Sequence, residues 1–282
     1  YDLIFADLVM PEVVGDDTAN RPAIADHITV LDRVHRFDED SSIADFAAAV
    51  NQGDADSSMA LLASGDDHLR WVRPDDRTGN EDVRHRIVEL RSRLVDMASD
   101  AATAAQALAA VGEVAVLCAH RNGPASVREW GLDIESALDD RFTGLRWGGR
   151  WYPGRPVMIT RNDYALELYN GDIGVAVETD DGLRVAFDRD GIRTYPLTRI
   201  GDHVTVHAST IHKSQGSQFD EVVVVLPGDT SRLLTRQLLY TAVTRAKRRV
   251  WVVGSEESLR AAIGRSVRRA SGLGTRLWGD AR

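Results

Sequence analysis

The sequence predicts an α/β protein: a doubly wound parallel sheet, with a small antiparallel β module inserted late in the chain. Three observations carry this. Glu221 to Leu226 is a run of valines too continuously apolar for a strand with one wet face, as expected of a parallel strand covered on both sides. From Glu113 onward such runs alternate with helical segments, the order of strand–helix–strand units. Between Asp172 and Pro196 the pattern changes to short β-branched runs parted by Asp-Gly turns, the signature of hairpins. A length of 282 residues suits about two domains.

The elements follow in order. Residues 1–29 hold a short apolar start and a polar, proline-bearing stretch from Pro11 to Pro22, expected to be a loosely ordered remnant. Ile28 to Leu31 is a short strand candidate. Ser41 can cap a helix from Ile43 to about Asn51, which Asn51-Gln-Gly-Asp54 breaks. Val83, Ile87, Leu90, Leu94 and Met97 recur at helical spacing, and an alanine-rich helix from Ser99 to Val111 stops at Gly112. These two helices are expected to pack on one another. Val114 to Ala119 reads as a buried strand, Ser126 to Asp140 as a helix, and Pro156 to Thr160 as another apolar strand. After the hairpins, Val204 to Ser209 and Glu221 to Leu226 are expected to return to the main sheet. A helix from Thr235 to Arg245, the strand Val250 to Val253 and a helix from Ser255 complete the chain.

Composition excludes several classes. Apolar residues at 43% and charged residues at 27% are ordinary for a globular protein. The single cysteine, Cys118, rules out an internal disulfide and a cysteine-rich zinc site, and its apolar run marks a buried strand thiol. No apolar stretch approaches the ~20 residues of a membrane span, and no signal-peptide pattern opens the sequence; a cytoplasmic location is expected. A net charge of −9 disfavours a free-standing, non-specific DNA binder, although arginines crowd Arg236 to Arg276. Two lysines against 32 arginines among the 34 basic residues points to genomic base composition rather than to chemistry.

Two elements carry chemistry. Ile211-His-Lys-Ser-Gln-Gly-Ser-Gln-Phe-Asp220 is a loop between strands. Its His212, Lys213 and Ser214 offer donors for phosphate or sugar, and Gly216 permits close backbone approach. In open α/β sheets such loops line the crevice at the C-terminal strand ends. A polar turn with one surface lysine is the alternative. The second element is Leu239-Tyr-Thr-Ala-Val-Thr-Arg-Ala-Lys-Arg-Arg-Val250, where an arginine set on a helix and followed by a core strand can be held rigidly. Lys247, Arg248 and Arg249 are read as a solvated basic helix end. No Gly-x-x-x-x-Gly-Lys-Ser/Thr loop occurs, and neither lysine follows a glycine, so the phosphate-cradling half of a nucleotide motor is missing from this sequence. Asp7 is read as a surface residue rather than a magnesium-holding one. No metal cluster is expected.

In order and spacing these stretches resemble the C-terminal part of superfamily 1 helicases, most closely RecD-like ones. Val34-His-Arg-Phe-Asp-Glu-Asp-Ser41 with Ala47-Ala-Ala-Val-Asn-Gln-Gly-Asp54 resembles motif IV and its following helix, and Leu117-Cys-Ala-His-Arg-Asn-Gly-Pro124 the strand and loop after it. Trp151 to Asp163 with Tyr169 to Gly174 is similar to the entry into a small β-barrel, and Thr210 to Asp220 and Tyr240 to Arg249 resemble motifs V and VI. Arg269 to Leu273 adds a RecD-like tail. The resemblance implies a RecA-like second motor domain over 30–170 and 203–282, including a helical segment at 81–111, with an inserted SH3-like β-barrel at 171–202. It implies arginine fingers at Arg245 and Arg36, nucleotide contact at Gly216 and Gln218, and DNA-backbone contact at Thr210, His212 and Lys213. Gln218 stands where the family usually has a ribose-holding Glu. Asn162 is placed with the DNA contacts, loop-shaping being the other reading for it and for Asn170.

The implied activity is an ATP-dependent 5′→3′ DNA helicase, a RecBCD-type subunit acting in double-strand break repair and recombination. ATP and Mg²⁺ would be held mainly by an N-terminal P-loop domain, with single- or double-stranded DNA, RecB and RecC as partners and no membrane. The chain is expected to begin after motif III and to be inert alone. The alternatives are a stand-alone or relaxase-type helicase, or a non-catalytic DNA-binding module.

Overall fold

The computed structural model describes residues 41–142 and 151–267. Asp7, the strand candidate at Ile28, the remnant at 1–29, Arg36 with its motif, and the tail from Arg269 lie outside the described residues.

Local chemistry sets the first helices. Ser41 accepts the Ala44 amide hydrogen and starts α1 (Ser42–Gln52). Gly53, at φ 78°, ends it in the left-handed conformation, and Asp54 immediately caps α2 (Ala55–Ala63) through the Ser57 amide. The strand β1 (Leu69–Val72) follows, then α3 (Arg77–Ala98), capped by Asp76. A 3₁₀ turn leads into α4 (Ala104–Ala110). Neither α2 nor β1 is among the elements expected from sequence; both are short, and α2 carries too weak an apolar stripe to stand out.

The main sheet adds β2 (Val114–Cys118), α5 (Val127–Arg141), β8 (Ala208–Thr210), β9 (Phe219–Val225), α6 (Arg236–Val243), β10 (Ala246–Val253) and α7 (Glu256–Gly264). Strand order is β1-β10-β9-β2-β8, with every pair parallel. Alternate strand residues feed two cores. Leu117, Val222, Val224, Val250 and Val252 meet residues of α1, α2, α6 and α7 on one face. Val116, Cys118, Val223, Val225 and Trp251 meet residues of α3 and α5 on the other. Helices on both faces make the sheet doubly wound. The register aligns Val72, Val253, Val225, Cys118 and Thr210 in one line, so all five strands end on the same edge.

A second sheet holds β3 (Pro156–Ile159), β4 (Ile173–Val177), β5 (Arg184–Asp188), β6 (Ile192–Pro196) and β7 (His203–Thr205), in the order β6-β5-β4-β3-β7 and antiparallel throughout. This corrects two assignments. Pro156 to Thr160 does not join the main sheet: β3 lies between β4 and β7, and it reads as continuously apolar because all four of its residues are buried. Val204 to Ser209 is not one strand but two, since the chain passes from β7 in one sheet to β8 in the other at Val206 and His207. The antiparallel unit therefore runs from 156 to 205, wider than 171–202. Among the described residues no pairing joins β6 to β7, so closure into a barrel is not seen. α3 and α4 do pack on one another, through Leu94, Ala98, Ala107 and Ala110, and the same cluster takes in Val175, Val177 and Ala186 of the antiparallel sheet.

A buried polar group joins the two sheets. His207 Nε2 shares a 2.6 Å hydrogen bond with the Tyr152 hydroxyl, Arg91 donates to the carbonyls of Val111 and Val114, and Arg155 donates twice to Thr205 Oγ1. Burial brings Arg91 down to about 10, and burial with Arg91 and Arg155 nearby holds His207 well below its usual range, as a neutral imidazole.

Two consequences follow from these junctions. A Cβ at Gly53 would run into the Arg236 guanidinium and would place a side chain at positive φ; Gly53→Ala should lose about 1–3 kcal/mol in urea unfolding. His207, once unfolded, takes up a proton near pH 6.5 that the folded site refuses, so the unfolded state binds more protons below that pH. Stability should fall as pH drops below 6.5, and His207→Gln should flatten that part of the unfolding profile.

Candidate nucleotide and nucleic-acid interface

The loop from Ile211 to Gln218 connects the C-terminal end of β8 to the N-terminal end of β9. Because β9 runs seven residues from Phe219 to Val225, these ends lie ~20 Å apart along the strand direction. The loop thus crosses the sheet rather than sitting wholly at the C-terminal edge, as the sequence suggests. Its first turn is a 3₁₀ helix, Ile211–Ser214, anchored by buried Ile211 and by Ser214 Oγ donating to the Ile211 carbonyl. His212 and Lys213 belong to this half, and Thr210, the last residue of β8, adjoins it. His212 is exposed and Thr210 and Lys213 are half-buried. Burial, with Arg121 adding like charge, draws Lys213 below the usual lysine range.

The second half holds Gly216 and Gln218, both exposed. Gly216 adopts φ 90° with open space where a side chain would go, so the backbone there is accessible to a bulky ligand. Beside it lies Arg245, 9% exposed. α6 stops at Val243, so Arg245 sits in the turn between α6 and β10 and not on the helix. Its guanidinium donates to the Thr241 carbonyl at 3.1 Å, the Ser217 carbonyl at 3.3 Å and Thr244 Oγ1 at 3.4 Å. Its own carbonyl accepts the Phe219 amide hydrogen at 2.9 Å. Gly216, Ser217 and Arg245 thus form one cluster at the N-terminal edge of β9 and β10, and Thr210, His212 and Lys213 form another.

Lys247, Arg248 and Arg249 are not a helix end, because β10 begins at Ala246. Lys247 and Arg248 are exposed, while Arg249 donates to the Asp67 carbonyl and pairs with Glu221. Arg86 completes that group at 2.6 Å from Glu221; burial opposes the Glu221 charge, but Arg86 and Arg249 hold its carboxyl below the usual range. No sequence signal separates Arg249 from its two neighbours, since its partner lies 28 residues away.

Asn162 lies on the antiparallel unit, apart from both clusters. Its Oδ1 accepts the Asn170 amide hydrogen at 2.8 Å and its Nδ2 donates to the Tyr164 hydroxyl at 3.3 Å, which is loop-shaping. Among the described residues no His, Cys, Asp or Glu group is placed to hold a metal ion, and no helix is long and apolar enough to cross a membrane.

Residues 205–253, which take in the crossing loop and the Arg245 turn, match the UvrD-like helicase C-terminal domain family. The chain is 48% identical over 250 residues to the RecBCD enzyme subunit RecD of Mycolicibacterium smegmatis, covering 89% of this chain and 44% of that protein. It is 44% identical over 275 residues to the RecD subunit of Mycobacterium tuberculosis, covering 97% and 45%. The ATP-dependent RecD2 DNA helicase of Deinococcus radiodurans is 32% identical over 157 residues, 55% of this chain and 22% of that one. The chain therefore spans under half the length of the RecD proteins it matches. A Bacteroides Pif1 helicase crystallised with ADP-AlF3 and single-stranded DNA overlays with a TM-score of 0.38 at 15% identity, over 88% of this chain and 56% of that one. That overlay is too loose to add to the sequence relationship.

Cys118 belongs to neither cluster. It is fully buried in β2, and burial pushes its thiol up to about 12. A maleimide should leave native protein unlabelled and react at one site only after denaturation.

Proposed function

We propose, from the premise that this chain is the C-terminal motor domain of a RecD-like superfamily 1 helicase, that it closes the ATP cleft of that motor and grips its DNA strand. The observation that carries this is the crossing loop, which physically joins a basic cluster at one sheet edge to an arginine-centred cluster at the other.

In this reading Arg245 is the arginine finger. A guanidinium fixed to a helix–strand turn can exchange a neutral carbonyl acceptor for a phosphoryl oxygen and stabilise the charge that develops on transfer. Gly216 and Gln218 border the nucleotide, Gln218 offering an uncharged amide where a ribose hydroxyl would lie. Arg36 is proposed as the second finger. The phosphate-cradling loop and the carboxylates that hold Mg²⁺ come from a P-loop domain, for which this sequence has no matching stretch. Thr210, His212 and Lys213 contact the DNA backbone. Because Ser217 is held by Arg245, a change at the nucleotide is transmitted back along the loop to Lys213, four residues earlier, which is how opening and closing of the cleft would move the strand. The antiparallel unit is read as the SH3-like insertion of such a motor.

The RecBCD-type subunit is preferred to a stand-alone helicase because the relatives of 44–48% identity are named RecBCD subunits, against 32% for the RecD2 helicase. RecB and RecC are then the partners, and 5′→3′ the direction of travel.

In the complete protein Arg245→Ala should lower DNA-stimulated ATP turnover by about 10³-fold or more, while single-stranded DNA binding stays within about twofold. Undiminished turnover would remove Arg245 from the reaction. Since Arg245 also ties Ser217, circular dichroism melting of the variant distinguishes a lost finger from a lost fold.

A further inference from the structure

The register of β2 against β8 places a second loop beside the first. Cys118 pairs with Thr210, and both are the last residues of their strands. Two residues beyond these ends stand His120 and His212, and three residues beyond stand Arg121 and Lys213. Adjacent parallel strands therefore deliver a His-Arg pair and a His-Lys pair at equal offsets on one edge.

Arg121 does not sit on a loose loop. The carbonyls of His120 and Arg121 accept the amide hydrogens of Val127 and Arg128 at 3.0 and 3.2 Å, fixing the loop to the start of α5. Gly123 at φ 91° and Ala125 at φ 55° make the tight turn, and Glu129 Oε2 accepts the Ala125 amide hydrogen at 2.6 Å. The Glu129 carboxylate, in the first turn of α5, is thus already engaged with backbone. His120 Nε2 shares a 2.8 Å bond with Ser231 Oγ, and Arg265 donates to the Ser231 carbonyl at 2.6 Å, so the loop after β9 is bound to the same edge. With the backbone pinned, the Arg121 side chain is exposed. Among the described residues, neither it nor Lys213 takes part in an ion pair, although arginines elsewhere in the chain commonly do.

Holding two cations close together costs free energy. Their mutual repulsion registers on Lys213, whose proton affinity is lowered by burial first and by Arg121 second. A polyanion spanning both loops removes that cost, and a nucleic-acid backbone supplies phosphates at regular spacing.

We propose that Arg121 is a DNA-backbone contact, forming with Lys213 a two-loop grip on the phosphates of the bound single strand. This rests on the reading of the Thr210–Lys213 half of the crossing loop as a DNA contact. His120 acts as a positioning residue, fixing the loop through Ser231. Arginine at 121 supplies a fork of donors that can hold two phosphate oxygens, while Lys213 acts as a point charge.

The test uses the complete protein and fluorescein-labelled oligo-dT, with anisotropy read over a series of salt concentrations. Arg121→Gln should weaken binding about three- to tenfold near 0.1 M salt and reduce the slope of log K against log salt by about 0.7, the contribution of one single-strand phosphate contact. Arg121→Lys should retain the slope. Lys213→Gln should lose a similar increment, and the double variant should lose both. An unchanged slope in Arg121→Gln, with a reduced slope in Lys213→Gln, overturns the grip but leaves the crossing loop as a DNA contact. Unchanged slopes in both overturn the underlying reading as well. Melting temperature reports folding, and equal losses in Arg121→Gln and Arg121→Lys would mark a structural arginine and also overturn the proposal.

Discussion

The parallel pairing of β9 with β10 on one side and β2 on the other is the constraint from which the rest follows. Its run of valines is buried on both faces, so it must lie inside a sheet covered by helices on each side. Once β9 is central, its register fixes where neighbouring strands begin and end. Ala246 is set opposite Phe219, which brings the Arg245 turn against Ser217. Val225 is set opposite Cys118, which in turn meets Thr210, and this aligns the loops that carry Arg121 and Lys213. The two edges of the candidate site are thus consequences of one strand's position.

The buried polar contacts read as fasteners between units that apolar packing alone would leave free to slide. Arg86 and Arg249 converge on Glu221 and hold α3 against the starts of β9 and β10. Arg91, Tyr152 and His207 occupy the passage from the antiparallel sheet to β8. Groups of this kind gain little net stability over apolar packing but tolerate few alternative arrangements, because any shift strands a buried charge. The crossing loop begins four residues beyond His207, so its starting point is fixed relative to both sheets.

Most of the main fold is legible from periodicity. β2, β9, α3 and α5 appear within a few residues of where apolar spacing and capping residues place them, because those signals are local. The failures are non-local. Continuous burial cannot tell a strand of a parallel sheet from one covered on both sides in an antiparallel sheet, so β3 is counted with the main domain rather than with the inserted sheet. Val204 to Ser209 looks like one strand because a change of sheet at His207 leaves no mark on the apolar pattern. The chemistry-bearing residues show the same division. Lys213 and Arg245 stand out by motif, whereas the pairing of Arg249 with Glu221 and the juxtaposition of Arg121 with Lys213 depend on strand register, which the sequence does not state. Arg36, legible only by resemblance, lies outside the described residues.

The central claim is that Arg245 serves as a strut between α6 and the crossing loop and as the group that meets the transferring phosphate. The most direct measurement is a structure of the complete protein bound to single-stranded DNA and an ADP–aluminium fluoride mimic of the transition state. The account predicts that the Arg245 guanidinium gives up the Ser217 carbonyl and donates to the fluoride group, with the 215–218 backbone displaced. An Arg245 still bonded to Thr241 and Ser217, with another cation at the mimic, would contradict it and leave Arg245 a purely structural tie.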